Sequence, residues 1–169
     1  YASPVLRANA PGGVPKIEQS LDIKGIKKLV LVVNDGGDGF SCDWADWIQP
    51  KLIGANKKIP LTELNWASAT TAWGNVNKNK NVDGGPLMVN GKQIESGIGT
   101  HADSIIVFDL PEGFDKFEFG CGLDQGGTNQ NNGETTSVQF LVFADGLPSA
   151  AQVSQGRPST SGDGTQRNP

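Results

Sequence analysis

One histidine, His101, serves the whole chain of 169 residues, alongside two cysteines, one methionine and one tyrosine. That scarcity narrows the chemistry. Cys42 and Cys121 lie far apart and form no Cys-x-x-Cys motif, and with one imidazole they cannot build a standard structural zinc site. The pair fits either a single disulfide or two buried thiols, and spacing does not decide between them. A Ser–His–Asp triad would have to use His101, and no Gly-x-Ser-x-Gly elbow is present. GGPLMVNGK (84–92) lacks the spacing of a phosphate-cradling loop. Charge is sparse as well: charged residues make up 19%, the net charge is −4 and no Lys/Arg run exceeds a pair. Nucleic acid and anionic membrane surfaces are therefore poor partners. The longest purely aliphatic run, LVLVV (29–33), is far too short to cross a bilayer, so no membrane insertion is expected. Convincing helical periodicity is missing throughout; DWADWIQPKL (43–52) offers one short helical turn before Pro50. The chain opens at Tyr1 without a signal-peptide pattern, which reads as an excised or processed piece of a larger protein.

What the sequence does hold is glycine (23), proline (10) and clustered asparagine, the composition of a turn-rich β domain. LVLVV ends at the turn NDGGDG (34–39), and SIIVFDL (104–110) ends at Pro111. KFEFG (116–120) sets Phe117 and Phe119 on one face. SVQFLVF (137–143) sets Val138, Phe140 and Val142 on one face. These runs predict an all-β, antiparallel β-sandwich formed by a single domain over residues 1–147. Residues 75–85 and 124–134 read as polar loops, and residues 148–169 as a linker poor in large apolar residues.

The four tryptophans carry the functional signal. Trp44, Trp47, Trp66 and Trp73 neighbour Gly, Asp, Asn, Ser or Thr, not the aliphatic strands. Sugar recognition needs that combination, a flat ring for the apolar face of a pyranose and short polar groups for its hydroxyls. The competing role is to close the ends of the core, with each indole N–H bonded to a loop carbonyl. His101, in Gly-Ile-Gly-Thr-His, is either a turn histidine bonded to nearby backbone, a partner for sugar hydroxyls, or a metal ligand or base. The binding surface expected from these residues gathers His101, Trp44 and Trp73, with Asp46 and Asn75 as hydroxyl partners. Acid-rich turns raise calcium, with Asp35, Asp38 and Asp43 as expected ligands, although no EF-hand spacing is present. A glycosidase needs only two well-separated carboxylates. None of the 18 acidic residues sits in a recognisable catalytic setting, and the chain reads as non-catalytic.

Taken together, several motifs resemble the NPCBM family of carbohydrate-binding modules, also grouped as CBM51. They are the Leu-x-Trp-x-Ser-Ala-Thr…Trp-Gly stretch from Leu64, the Gly-Gly-Pro-Leu…Asn-Gly-Lys hairpin, Gly-Ile-Gly-Thr-His-Ala, the Gly-Leu-Asp turn and Phe-Ala-Asp-Gly. LDIKGIKKLVLVVNDGGDGFSCDWADWIQPKL (21–52) is similar to the family's closing segment. The resemblance implies a galactose-binding-domain-like jelly-roll, a structural calcium ion and a role in tethering a secreted or cell-surface protein to galactose-bearing glycans. The order is unusual: the block like the family's end (1–53) precedes the block like its beginning (61–146), as in a circular permutation. Closure within one chain then gives a monomer, and pairing between chains a swapped dimer. At Trp44 the family pattern carries histidine, so galactose specificity does not transfer directly. The alternative function is a structural or assembly module that docks other domains of a parent protein. An exposed tryptophan beside polar groups would favour the sugar reading, and a contiguous apolar patch or an unpaired strand edge would favour docking.

Overall fold

The structure is a computed structural model and describes residues 1–11 and 16–153. Short β-branched and aromatic runs cut by Gly, Asn and Asp turns produce short strands, which sort into two main sheets. One sheet runs in the order β1 (Leu6–Arg7), β13 (Ser137–Ala144), β3 (Lys28–Asn34), β11 (Ser104–Asp109) and β6 (Ser68–Thr71). The other runs β2 (Lys16–Asp22), β12 (Lys116–Leu123), β4 (Trp44–Ile53), β10 (Gly97–His101) and β7 (Asn77–Lys78), with β5 (Lys58–Pro60) also paired to β4. β8 (Leu87–Val89) and β9 (Lys92–Ile94) form a separate hairpin. Every strand pairing is antiparallel. The expected all-β sandwich is the observed fold.

The inner faces meet in one core. Leu29, Leu31 and Val33 of β3, with Val138, Phe140 and Val142 of β13, face Trp47, Ile98, Phe117, Phe119 and Cys121 of the second sheet. Trp47 stands edge-on to Phe140 with ring centroids 5.0 Å apart, and Phe117 stacks on Phe119 at 4.7 Å. Each such large apolar side chain stabilises the fold by about 1.5–3 kcal/mol on burial. The two sequence blocks interleave: β3 lies between β11 and β13, and β4 between β10 and β12. Residues 1–53 therefore complete sheets that residues 61–146 could not close by themselves.

Three features depart from or decide sequence expectations. The helical turn expected before Pro50 is absent, because β4 continues as strand through Pro50 to Ile53. A register shift between Glu118 and Gly120 of β12, with Gln49 at φ 46°, makes a bulge where proline's missing N–H costs no ladder bond. Cys42 and Cys121 are free thiols, the first half-buried and the second in the core. Beyond Leu147, Ala150–Val153 form a short helix. Ser149 and Gln152 bond reciprocally at its start, the side chain of each accepting from the other's backbone N–H. Val153 packs on Val30, Val32, Val107 and Leu141, an apolar cluster on the outer face of the five-stranded sheet. The rest of the expected linker, residues 154–169, lies outside the described residues.

Candidate functional site

Strand alternation explains the glycine-flanked histidine. Ile98 of β10 packs in the core, so Gly97, Gly99 and His101 share the outer face. Ala45 and Trp47 of β4 likewise point inward, leaving Trp44, Asp46 and Ile48 outside. The register sets Ile48 opposite Gly97, Asp46 opposite Gly99 and Trp44 opposite His101. The first two rows are covered. A methyl group on Gly97 would lie 2.9 Å from Leu87 Cδ1, and one on Gly122 2.9 Å from Val89 Cγ1. At Gly99 the added carbon would stand against the Lys80 carbonyl oxygen and the Asn81 backbone. The absent side chains thus let residues 80–89 lie directly on the sheet.

The third row stays open. There a cleft of about 300 Å³ is lined by Phe40, Ser41 and Cys42 from the β3–β4 turn, Trp44, Trp73, His101 and Gln130. Trp44 stacks on Trp73 with ring centroids 5.5 Å apart and planes 27° apart, and Trp73 lies 5.7 Å from the His101 ring. Phe40 meets the other side of the cleft edge-on to His101 at 6.4 Å. Phe40 and Trp73 are 57% and 47% exposed, so their rings face solvent. Behind Trp44 runs α1 (Gln125–Thr128), capped by the Asp124 side chain, which accepts from Gly126 N at 2.7 Å. A side chain at Gly126 would collide with the Trp44 ring.

His101 is held firmly. Thr71 Oγ1 donates to the His101 carbonyl at 3.0 Å and accepts from the His101 N–H at 3.2 Å. The ring Nδ1 bonds to the Ala102 carbonyl oxygen, which requires the proton on Nδ1 and leaves Nε2 as an acceptor. Burial lowers the His101 pKa below the ordinary value, against opposing pulls from Ala102 and Asp103. The ring is neutral at pH 7. Among the described residues, no Asp, Glu, Lys or Arg lines the cleft. Flat rings, a neutral acceptor, a hydroxyl and an amide suit an uncharged polyhydroxylated ligand.

Of the expected site residues, His101, Trp44 and Trp73 come together. Asp46 does not join them: it is 1% exposed, beneath the cover over the second row. Asn75 lines a separate hollow on the other side of the 71–75 segment. Phe40 and Gln130 were not singled out from sequence. An exposed aromatic in the glycine-rich turn DGFSC was the available signal for Phe40, and nothing distinguished Gln130 among its asparagine neighbours. Trp47 is a core residue, and its buried indole N–H has no partner among the described residues.

Asp35, Asp38 and Asp43 gather around Ser137, and their oxygens take part in hydrogen bonds within the protein. Ser137 N–H donates to Asp43 Oδ1 at 2.8 Å and Ser137 Oγ to Asp38 Oδ1 at 2.6 Å. Arg7 takes Asp38 Oδ2 at 2.6 Å, and Gly37 N–H takes Asp35 Oδ1 at 3.0 Å. These bonds knit the β3–β4 turn to β13. Burial pushes the Asp43 carboxyl up to about 8, so it is largely protonated at neutral pH. Among the described residues, no three His, Cys, Asp or Glu side chains are arranged to hold a metal.

Asp46 is a different case. Both of its carboxyl oxygens are buried, and burial, then the charge and hydrogen bonding of the neighbouring Asp124 carboxyl, hold its pKa well above the ordinary value. Asp124 accepts from Gly126 and Met88 backbone N–H groups. Two adjoining carboxylates beneath a carbonyl-bearing loop have the donor chemistry that calcium takes.

The chain is thus a small antiparallel sandwich with an open aromatic cleft. The NPCBM/NEW2 domain family model matches residues 1–53 and 57–166, and the chain belongs to that family. Neither a curated protein nor a solved structure matches it.

Proposed function

We propose that this chain is a non-catalytic carbohydrate-binding module that holds a neutral, terminal sugar in the Phe40–Trp44–Trp73–His101 cleft. The observation that carries the reading is the half-exposed Trp73 ring set beside Ser41, Gln130 and the free Nε2 acceptor of His101. The apolar face of a pyranose stacks on Trp73, and its hydroxyls bond to His101 Nε2 and the Gln130 amide. Galactose-type residues, whose axial hydroxyl leaves one face apolar, are the first candidates. Affinity is modest, because a shallow cleft buries little area. The role fits a domain that anchors a larger secreted or cell-surface protein as a monomer, in permuted order.

Calcium enters through Asp46 and Asp124, whose adjoining carboxyls lie beneath the 80–89 segment, with the Asp35–Asp38–Asp43 turn as the other candidate. A cation there would neutralise the paired carboxylates and pin the 80–89 segment over the sheet. A glycan array run with calcium and again with chelator tests both ideas. Binding to a narrow set of terminal sugars, lost in Trp73→Ala and His101→Ala, supports the sugar reading. A calcium-dependent rise in melting temperature that vanishes in Asp46→Asn supports the metal site, and no rise in the wild type removes it. A blank array from folded, monodisperse protein favours docking.

A further inference from the structure

We propose that the hollow around Trp66 is a second glycan subsite, one that takes an acidic sugar residue of the same oligosaccharide whose neutral residue stacks on Trp73. The proposal rests on the sugar-binding reading above and names a ligand class that the first cleft does not.

Two hollows, of about 540 and 400 Å³, share Trp66 and Val76 and so form one continuous groove. Asn65, Thr70 and Asn75 are exposed along it, offering two amides and a hydroxyl beside an indole. Among the described residues, the groove is lined by no carboxylate and by one cation, Lys78. Lys78 Nζ lies 5.0 Å from the Trp66 ring centroid and donates to the Leu64 carbonyl at 2.6 Å. An ammonium carries three donors, so bonds remain to be made. Lys78 has no ion-pair partner among the described residues; Lys24, Lys27, Lys57, Lys58, Lys80, Lys92 and Lys116 have none either but are exposed, whereas Lys78 is half-buried. In a chain of net charge −4, a half-buried ammonium fixed against an aromatic ring and left without an anion is prepared for one from outside.

The two sites are held in register. Trp73 lines the first cleft, while Thr71, Gly74 and Asn75 line the groove, so residues 71–75 form the common wall. Thr71 Oγ1, which also lies 3.1 Å from the Trp73 carbonyl oxygen within the wall, ties it to the His101 carbonyl at 3.0 Å. The neutral cleft and the cationic groove therefore divide the labour. The cleft selects ring shape, and Lys78 selects a carboxylate or sulfate on a neighbouring residue.

The test is a glycan array of matched pairs, each neutral oligosaccharide beside its sulfated, sialylated or uronic-acid counterpart, followed by calorimetric titration of the best pair. The expected result is about tenfold tighter binding of the acidic member, shrinking with added salt. Lys78→Gln, which keeps a donor for Leu64, abolishes that preference and leaves neutral binding intact. Lys78→Arg retains the preference, and Trp73→Ala loses both ligands. Equal binding of the pair by wild type, or an acidic preference that survives in Lys78→Gln, overturns the second subsite alone. A blank array overturns it together with the sugar-binding reading.

Discussion

Asp46 and His101 occupy the same outer face of the β4–β10 strand pair, in adjacent rows, yet one is sealed and the other borders an open cleft. The difference lies across the ladder. Asp46 faces Gly99, and the absent side chain admits the 80–81 backbone, which closes over the carboxylate. His101 faces Trp44, whose ring fills the space with its own bulk and stacks on Trp73. The same strand geometry thus yields a buried carboxyl in one row and an aromatic surface in the next. Glycine decides where the cover ends.

The largest expected effect breaks the cover. Gly99→Ala sets a carbon against the Lys80 and Asn81 backbone, which cannot swing aside as a side-chain tip could. It should cost about 3 kcal/mol of stability, read as a lowered urea midpoint and a lost calcium response. Trp73→Ala acts on the open row. It should weaken glycan binding by about 2 kcal/mol, some thirtyfold in Kd, and cost no more than about 1 kcal/mol of stability. Binding and unfolding measured on the same sample separate the two.

Two smaller effects follow from ionisation. The folded state holds the Asp43 proton up to about pH 8, whereas the unfolded chain releases it near pH 4. Stability should therefore fall as pH rises across that window. Asp43→Asn should be the more stable protein at pH 8, by something on the order of 1 kcal/mol, with the gain fading toward pH 4. The His101 effect is smaller still. Because its pKa lies below the usual value, sugar binding should be flat from pH 8 to 7. It should decline only at acid pH, when protonation of Nε2 removes the acceptor. A decline centred at or above the ordinary histidine value of about 6.5 would contradict the buried, Nδ1-bonded ring.

Much of the fold was legible. The alternation in KFEFG and SVQFLVF identified the inward faces of β12 and β13, because a half-buried strand must repeat every two residues. Trp44, Trp73 and His101 stand together as the sequence led one to expect, although Trp47, among the same short polar neighbours, is a core residue. Asp46 misled. Its neighbours in sequence resemble those of a surface residue, and its burial depends on two glycines from other strands and a loop more than thirty residues away. Pro50 misled for a similar reason, since a bulge depends on the register of the partner strand.

The sequence by itself determined the sandwich, the inward residues, the aromatic character of the site and the family, all properties of local pattern and composition. Only the tertiary structure decided that Asp46 is covered and that Asn75 and Lys78 share a groove with Trp66. It also decided that Cys42 and Cys121 stay apart and that Val153 packs on the outer sheet. Each of these depends on which backbones approach closely across sheets and loops. That is a matter of register and steric fit between distant segments, which no local period encodes.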